Sequence, residues 1–298
     1  MNSGSYLLKV GMAMKFFTLV LIIFLLPCSV SALEVLKYPR HSDGDDPEAY
    51  VVDLLKEALA RSAGRYRLEA TPTPMTQSRA LLAIEKSSPS VQVMWGMTSN
   101  EREERLLPIR IPIYRGLIGW RVLLHRSDAE NVSAIRDLQG LQYFSFGQRH
   151  DWPDTPILRS NGLNVVTSQD YQGLFKMLAA GRFDLFPREL VVAWHEQAKA
   201  NKEGLDLSVD NHVLLHYPAA LYFFTSRSRK DLAVDVENGL EEMILDGSFR
   251  KLFDRYHGET LRQANLDNRI VIELQNPDLP AATPLARKEL WFQIEDYQ

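Results

Sequence analysis

Residues 49–64, AYVVDLLKEALARSAG, place their apolar side chains along one face of a helix. Five of these side chains recur at the spacing i, i+3, i+4, i+7 and i+8: Val51, Leu54, Leu55, Ala58 and Leu59. The spacing predicts an amphipathic helix that ends at Gly64. Residues 34–38 before it and 65–70 after it read as strands. A helix between two strands is typical of an α/β domain.

The same alternation continues along the chain. A short helix is expected over 78–86 and a buried strand over 91–95, which completes a β-α-β-α-β order. A second unit of the same kind begins near Leu117, and its strand segments alternate with helical segments as far as Phe186. Two longer helices follow, ended by Gly247 and Gly258. The pattern predicts two α/β units with mainly parallel sheets.

The N-terminus carries an export signal. Lys15 precedes the apolar run FFTLVLIIFLLP at 16–27, and Val30 and Ala32 occupy the positions that a signal peptidase reads. The run is short for a bilayer span of about 20 residues. We expect cleavage after Ala32, with translation starting at Met1, Met12 or Met14. Pro27 argues against lipid attachment at Cys28 because such a site needs a small residue there.

Composition excludes several classes of function. The formal charge is −4, and residues 1–32 carry only Lys9 and Lys15, so the mature chain has a charge of −6. A mildly acidic chain without a basic stripe does not favour nucleic-acid or membrane-surface binding. Cys28 is the only cysteine, so the mature chain has no disulfide, thiol nucleophile or cysteine metal ligand. We expect an exported monomer.

Six motifs in order carry a resemblance to a known family. They are Tyr38-Pro39, the segment 50–54 (YVVDL), Thr98-Ser99-Asn100-Glu101-Arg102, Pro112-Ile113-Tyr114, Leu138-Gln139-Gly140 with the strand to Gly147, and the segment 178–184 (LAAGRFD). Over 33–258 the chain resembles the type-2 periplasmic solute-binding proteins, in the family 3 group that includes polar amino-acid receptors of ABC importers.

The resemblance implies a type II periplasmic-binding-protein fold of class α/β, with two lobes joined by two hinge crossings. We expect lobe 1 over 33–116 and 221–298, and lobe 2 over 117–220. A small polar ligand, amino-acid-like or a carboxylate, would bind in the cleft between the lobes and favour their closure. The partner would be the membrane permease of an ABC importer or, as the alternative, a membrane sensor such as a kinase or cyclase. Both uses place the protein in the periplasm.

The same resemblance assigns site residues. Arg102 matches the family arginine that clamps a ligand carboxylate, and Thr98 begins its motif. The alternative is a surface arginine paired along the charged helix 101–105, with Arg105 as the competing clamp. Glu189 lies near the place of the family aspartate that receives an ammonium group, and Arg188 beside it could pair with Glu189 or hold an anion.

Further cleft residues are expected at the ends of strands. Gly147 and Arg149 lie where the family offers backbone N–H groups to an anion. Tyr38 and Trp95 would form aromatic walls, with core packing as the alternative. Arg40, Arg149 and Arg188 together hint at an anionic or dicarboxylic ligand. Asp53 is expected to be structural, and the stretch after Thr260 extends past the usual end of the family.

Enzyme function has little support in the sequence. H-E-x-x-H, G-x-S-x-G, P-loop and G-x-G-x-x-G motifs are missing from the chain. His212 and His216 read as one strand, which would place them about 13 Å apart, too far for one metal ion. We expect no catalytic residues, no metal and no cofactor. A dehydratase on the same fold is the remaining enzymatic alternative.

Overall fold

The computed structural model describes residues 33–40, 49–129 and 132–297. The predicted signal peptide at 1–32 lies outside the described residues. Within the described residues, the longest helices are too short and too polar to cross a bilayer. The helices are α1 Ala49–Ala60, α2 Gln77–Glu85, α3 Asn100–Arg105, α4 Leu138–Leu141, α5 Asp154–Ser160, α6 Tyr171–Ala179, α7 Ala193–Lys202, α8 Lys230–Leu245 and α9 Ser248–Gln263.

Three strands between α7 and α8 follow one another without a helix, and most of the other strands alternate with helices as predicted. Five of the eight strand pairings are antiparallel, so the prediction of mainly parallel sheets is wrong. The structure describes twelve strands. They are β1 Glu34–Tyr38, β2 Tyr66–Ala70, β3 Val93–Met97, β4 Leu107–Ile109, β5 Trp120–Arg126, β6 Ser145–Arg149, β7 Asn164–Ser168, β8 Phe186–Glu189, β9 Leu207–Val209, β10 Val213–His216, β11 Leu221–Thr225 and β12 Ile270–Glu273. The predicted helix at the start of the chain is α1, and its buried face contains the five periodic residues and Tyr50.

Sheet group 1 consists of β1, β2, β3, β4 and β11. β11 lies between β3 and β4 and pairs antiparallel with both, while β1 and β2 form a parallel pair. The amide of Gln92, just before β3, donates to the Lys37 carbonyl of β1 at 2.9 Å and joins the two parts. Helices α1, α8 and α9 pack together beside these strands. The Tyr50 hydroxyl donates to the Ile113 carbonyl at 2.6 Å and anchors α1 to the chain that leaves the group.

Sheet group 2 consists of β5 to β10 and β12. The strand order β12-β10-β5-β8 forms one sheet, β9 adds to β5, and β6 and β7 form a parallel pair. The chain crosses from group 1 to group 2 at 110–119 and returns at 217–220. We refer to these two segments as the crossings.

One pairing differs from the expected lobes. Residues 221–298 were all assigned to lobe 1, but β12 pairs in parallel with β10 over Val213↔Ile270 to His216↔Glu273. That assignment is wrong for β12, because its backbone pairs with the edge of β10 in sheet group 2. The chain therefore passes between the sheet groups a third time, at 264–269, and residues beyond β12 return toward group 1. The remaining lobe boundaries stay a prediction.

One strand begins later in the sequence than predicted, because a short capped helix precedes it. The strand expected over 142–146 begins at Ser145, because α4 occupies 138–141. Asp137 caps α4 by accepting the Gly140 amide at 2.8 Å, a helix start of the usual kind. The strand β6 then runs to Arg149 and ends beside the start of α5.

Candidate functional site

Arg102 lies directly after the carboxyl end of β3. The Ser99 hydroxyl caps α3 by accepting the Arg102 amide at 3.2 Å, so the side chain leaves the first turn of a short helix. Arg102 is 9% exposed. Its Nη1 donates to the Met97 carbonyl at 2.6 Å and its Nη2 to Gln77 Oε1 at 2.7 Å. These bonds hold the fork in one orientation and use two of its five N–H donors.

Two further residues shape this position, and neither was expected from the sequence. Gln77 begins α2 and supplies the acceptor for Arg102. Gly96 lies under the guanidinium, where a Cβ atom would stand 2.8 Å from Arg102 Nη1. The position of Gly96, two residues before the motif that begins at Thr98, was visible in the sequence. The role of Gln77 was not, because 25 positions separate it from Arg102.

Arg105 does not compete for this position. Its side chain binds Glu85 and Glu101, each at 2.7 Å, on the outer face of α3. The alternative reading of Arg102 as one member of that surface network is wrong, because its own hydrogen bonds lead inward to Met97 and Gln77. Burial lowers the pKa of Arg102, and the charges of Glu101, Asp151 and Asp154 oppose that shift. Asp151 and Asp154 follow β6 in sheet group 2, so charges of the other group contribute to the electrostatics of Arg102.

The remaining expected residues of group 1 are engaged within it. The Thr98 hydroxyl donates to Glu103 Oε1 at 2.7 Å, and its amide donates to the Ala220 carbonyl at 2.8 Å. Trp95 is buried and packs against Phe223 with a ring distance of 6.4 Å, so core packing is its main role. Tyr38 is half-buried at the end of β1, and its ring lies 5.8 Å from that of Trp95.

Gly147 does not offer its backbone to an anion. Its amide donates to the Leu185 carbonyl at 2.9 Å. A Cβ atom at this position would stand 2.1 Å from the buried ring of Phe183. The expectation of an anion-binding amide at Gly147 is therefore wrong, and the glycine is needed for the packing of Phe183 over β6.

Substituting Gly147 by alanine is expected to destabilise the protein by about 1–3 kcal/mol, the usual cost of overpacking a core. The check is urea unfolding at equilibrium. Gly140→Ala is the matched control, because a Cβ atom there meets its nearest neighbours at 3.6 Å, an ordinary contact within a helix. Equal stability of the two variants would contradict the packing role.

Arg149 and Arg188 are both paired within group 2. Arg149 binds Asp151 through Nε and Nη2, each bond 2.9 Å long. Arg188 is buried and binds Glu196 through the same two nitrogens at 2.6 and 2.7 Å. The Arg188 guanidinium also stacks on Trp152 and Phe186, each with a ring distance of 4.9 Å.

The expected roles of Arg188, pairing with Glu189 or holding an anion, are both wrong for this arrangement. Successive residues of a strand point to opposite faces, so Arg188 and Glu189 diverge. The partner of Arg188 is Glu196 on α7, whose second carboxylate contact is the Tyr171 hydroxyl. Burial disfavours the charge of Arg188, but Glu196 outweighs it and raises the pKa of the guanidinium.

Glu189 belongs instead to a cluster around Arg121, which the sequence analysis missed. Arg121 lies opposite Glu189 in the β5–β8 register. It is 2% exposed, and it binds Asp154 through Nη2 at 2.6 Å and the Tyr217 hydroxyl through Nε at 2.9 Å. Its Nη1 lies 3.4 Å from Glu189 Oε1. Tyr217 in turn donates to Asp154. The only signal was an arginine inside the apolar strand WRVLLHR.

Two features distinguish this edge of group 2. The Glu189 side chain is 28% exposed, and its only ion pair with a described residue is the longer contact to Arg121. Gln148, at the end of β6, is buried, and its Oε1 lacks a hydrogen-bond partner among the described residues. A buried acceptor without a partner is rare in native proteins. Group 2 therefore presents carboxylate and amide oxygens at the carboxyl ends of β6 and β8.

Metal ligation is not indicated. Among the residues that the structure describes, no cluster of three or more His, Cys, Asp or Glu side chains is placed to hold an ion. His212 and His216 have separate partners: His212 Nε2 lies 3.0 Å from the Ile135 carbonyl, and His216 Nδ1 lies 2.7 Å from Glu273.

Sequence comparison found one distant relative, and no family model matches the chain. A probable amino-acid-binding protein, YxeM of Bacillus subtilis (strain 168), is 23% identical over 137 residues. The match covers 46% of this chain and 51% of that protein, so the chain spans about half the length of the curated relative that it matches.

Structural likeness extends much further along the chain. An ancestral arginine-binding protein bound to arginine is similar with a TM-score of 0.56 and 15% identity, over 74% of this chain and 97% of that one. The probable amino-acid ABC transporter extracellular-binding protein ytmK from Bacillus subtilis gives 0.56 and 18%, over 76% and 99%. An ancestral amino-acid-binding protein, AncCDT-1, a precursor of cyclohexadienyl dehydratase, gives 0.55 and 18%, over 75% and 95%.

Proposed function

We propose that this chain, which has the type II periplasmic-binding-protein fold, is an exported receptor that captures a small amino-acid-like or carboxylate solute between its two sheet groups. It would act in the periplasm after cleavage at Ala32 and deliver the solute to the membrane permease of an ABC importer. The observation that carries this proposal is Arg102, which two hydrogen bonds hold in one orientation on group 1 and whose pKa is affected by the charges of Asp151 and Asp154 of group 2.

Opposite charges on the two sides suit a zwitterion. Arg102 retains N–H donors beyond the two that Met97 and Gln77 use, and a fork held in one orientation binds a carboxylate with little further loss of entropy. Glu189 is the exposed carboxylate on the opposite side and would receive an ammonium group. Gln148 Oε1 would accept a further N–H. A ligand that contacts both sides stabilises the closed arrangement relative to the open one.

The paired arginines of group 2 narrow the ligand class. Arg149 is bound by Asp151, and Arg188 by Glu196, so neither supplies an uncompensated positive charge. The hint of an anionic or dicarboxylic ligand rested on these two arginines and Arg40, so it loses most of its support. A zwitterion or a monocarboxylate with an N–H donor fits the remaining groups better.

The proposal is binding without catalysis. Arg102 and Glu189 can hold a ligand, but the described residues of this arrangement include no nucleophile with an adjacent base. The AncCDT-1 likeness keeps a dehydratase as the enzymatic alternative. A sensor component is the other alternative, and it would use the same cleft. A permease gene beside the coding gene would favour transport, and a kinase or cyclase gene would favour sensing.

A thermal-shift screen of residues 33–298 against amino acids, small carboxylates, polyamines and sugars tests the proposal. An amino acid at 100 times its dissociation constant should stabilise the protein by about 2.7 kcal/mol. In Arg102→Ala, we expect the affinity for the amino acid found in the screen to fall at least about 30-fold, because removing one partner of a buried charge pair costs about 2–5 kcal/mol.

Two variants make this test specific. Arg105→Ala removes an arginine three positions away whose side chain binds Glu85 and Glu101, and the affinity of this variant for the amino acid should stay unchanged. Glu189→Gln should weaken binding of the amino acid but not of the matching carboxylate without an amino group. Unchanged affinity in Arg102→Ala would remove the clamp from the proposal, and a shift only with sugars or polyamines would contradict the ligand class.

A further inference from the structure

The segment after β12, residues 275–278, bonds to both sheet groups within four positions. Gln275 exchanges two hydrogen bonds with Asn161 at the end of α5 in group 2: its amide donates to Oδ1 at 2.9 Å and its carbonyl accepts from Nδ2 at 2.8 Å. Asn276 Nδ2 donates to the Pro218 carbonyl in the second crossing at 2.9 Å. The start of the segment is thus attached to group 2 and to a crossing.

The end of the same segment is attached to group 1. Asp278 Oδ1 accepts the Asn100 amide at 3.3 Å and Asn100 Nδ2 at 3.1 Å. Asn100 is the first residue of α3, two positions before Arg102. The attachment therefore lies beside the residue that holds the proposed ligand on group 1.

The short chain between these two attachments limits how far the sheet groups can separate. Gln275 and Asp278 are three peptide units apart, and three residues of extended chain span at most about 11 Å. While both attachments exist, Asn161 and Asn100 cannot move apart beyond that chain span plus the lengths of the side chains and hydrogen bonds at its two ends. The sheet groups can separate at this edge only if one attachment breaks.

The chain beyond the segment is firmly seated on the first crossing. The Phe292 amide donates to the Arg115 carbonyl at 2.6 Å, and Arg115 Nη2 donates to the Trp291 carbonyl at 3.0 Å. The Trp291 ring lies against Gly116, where a Cβ atom would stand 2.4 Å from it. The segment cannot follow group 2 by peeling away as a whole, because the chain on both sides of it is bound.

We propose that residues 275–278 are a tether that restrains separation of the two sheet groups, with the Asn100–Asp278 pair as the point that releases. The Asn100–Asp278 bonds are longer than the Asn161–Gln275 bonds, so they are the weaker attachment. Under the proposed function, the tether lowers the free energy that a solute must supply to hold the groups together. The restraint itself exists without any ligand.

The test measures the separation of the groups in the ligand-free full chain, expressed with its own N-terminal segment. Spin labels on Ser78→Cys, in the first turn of α2, and Gln169→Cys, just after β7, report on the two groups. Cys28→Ser removes the native thiol. Asp278→Ala is expected to shift the label distance distribution to longer values and to broaden it.

Three variants complete the design. Asn100→Ala should give a smaller shift than Asp278→Ala, because it removes the Nδ2 donor but keeps the backbone amide donor to Asp278. The double variant should give no shift beyond that of Asp278→Ala, because Asp278→Ala already removes both bonds. Asp278→Asn retains the Oδ1 acceptor and should keep the parent distribution. Glu295→Ala, an exposed acidic residue of the same C-terminal stretch, should also keep it.

A parent-like distribution in Asp278→Ala, or an equal shift in Glu295→Ala, would overturn the tether. Circular dichroism of each variant ensures that a shift does not come from unfolding. The outcome is independent of the thermal-shift screen: a longer distance supports the tether even when no amino acid binds, and an unchanged one removes it even when binding is found.

Discussion

Arg121→Ala is expected to destabilise the protein by about 3–5 kcal/mol, the cost of breaking a buried ion pair by removing one partner. Asp154 is buried and loses the guanidinium that lies 2.6 Å away, and the Tyr217 hydroxyl loses its donor. A buried carboxylate without its cation has to be ionised in a poor environment or take up a proton. Urea unfolding monitored by fluorescence gives the difference in free energy of unfolding.

Two comparisons isolate the buried cluster. Arg67→Ala removes an exposed arginine paired with Glu69 at 2.8 Å, and it should cost less than about 1 kcal/mol. Arg121→Ala combined with Asp154→Ala should cost less than the sum of the single changes, because the second change removes the stranded charge. Strict additivity of the two, or a cost in Arg121→Ala no larger than in Arg67→Ala, would contradict the assigned pairing.

Acidification from pH 7 to pH 4 is expected to remove about 3 kcal/mol of stability through His257 alone. Burial lowers the pKa of His257 to about 4, and the charge of Asp254 opposes this shift only weakly. The ring packs against Tyr50, Tyr114 and Phe253 at ring distances of 4.7, 5.3 and 5.1 Å. Its Nε2 has no hydrogen-bond partner among the described residues, so a proton added there gains no acceptor.

The direction follows from proton linkage. Between pH 6.5, the ordinary pKa of histidine, and pH 4, the unfolded chain binds a proton at this position and the folded chain does not. The free energy of unfolding therefore falls as the pH falls from 6.5 to 4. Below pH 4, His257 causes no further change. Each unit by which folding lowers the pKa of His257 corresponds to about 1.4 kcal/mol in the free energy of unfolding.

His257→Phe tests this directly. Phenylalanine suits an aromatic surrounding and does not titrate, so the variant should lose this part of the pH dependence and be more stable than the parent at pH 5. The measurement is the free energy of unfolding at pH 7, 6, 5 and 4 in both proteins. Parallel curves for parent and variant would show that His257 is not the group responsible.

Much of the local structure could be predicted because it depends on neighbours in sequence. The apolar spacing at 51–59 predicted α1. The resemblance through Thr98–Arg102 pointed to the arginine that is turned inward, in preference to Arg105. Such signals are short-range patterns of side-chain polarity, which a single chain displays without any knowledge of its partners.

The sequence by itself therefore determined the α/β class and much of the order of helices and strands, while the export signal and the role of Arg102 as a clamp stay predictions. Only the tertiary structure decided which charges neutralise each other: Arg121 meets Tyr217 across 96 positions, and Arg188 selects Glu196 over its neighbour Glu189. It also decided that Gly147 makes room for Phe183, and that residues 275–278 join the two sheet groups. The physical reason is that periodicity is a local property, whereas ion pairing, close packing and tethering depend on which distant surfaces are brought together when the chain folds.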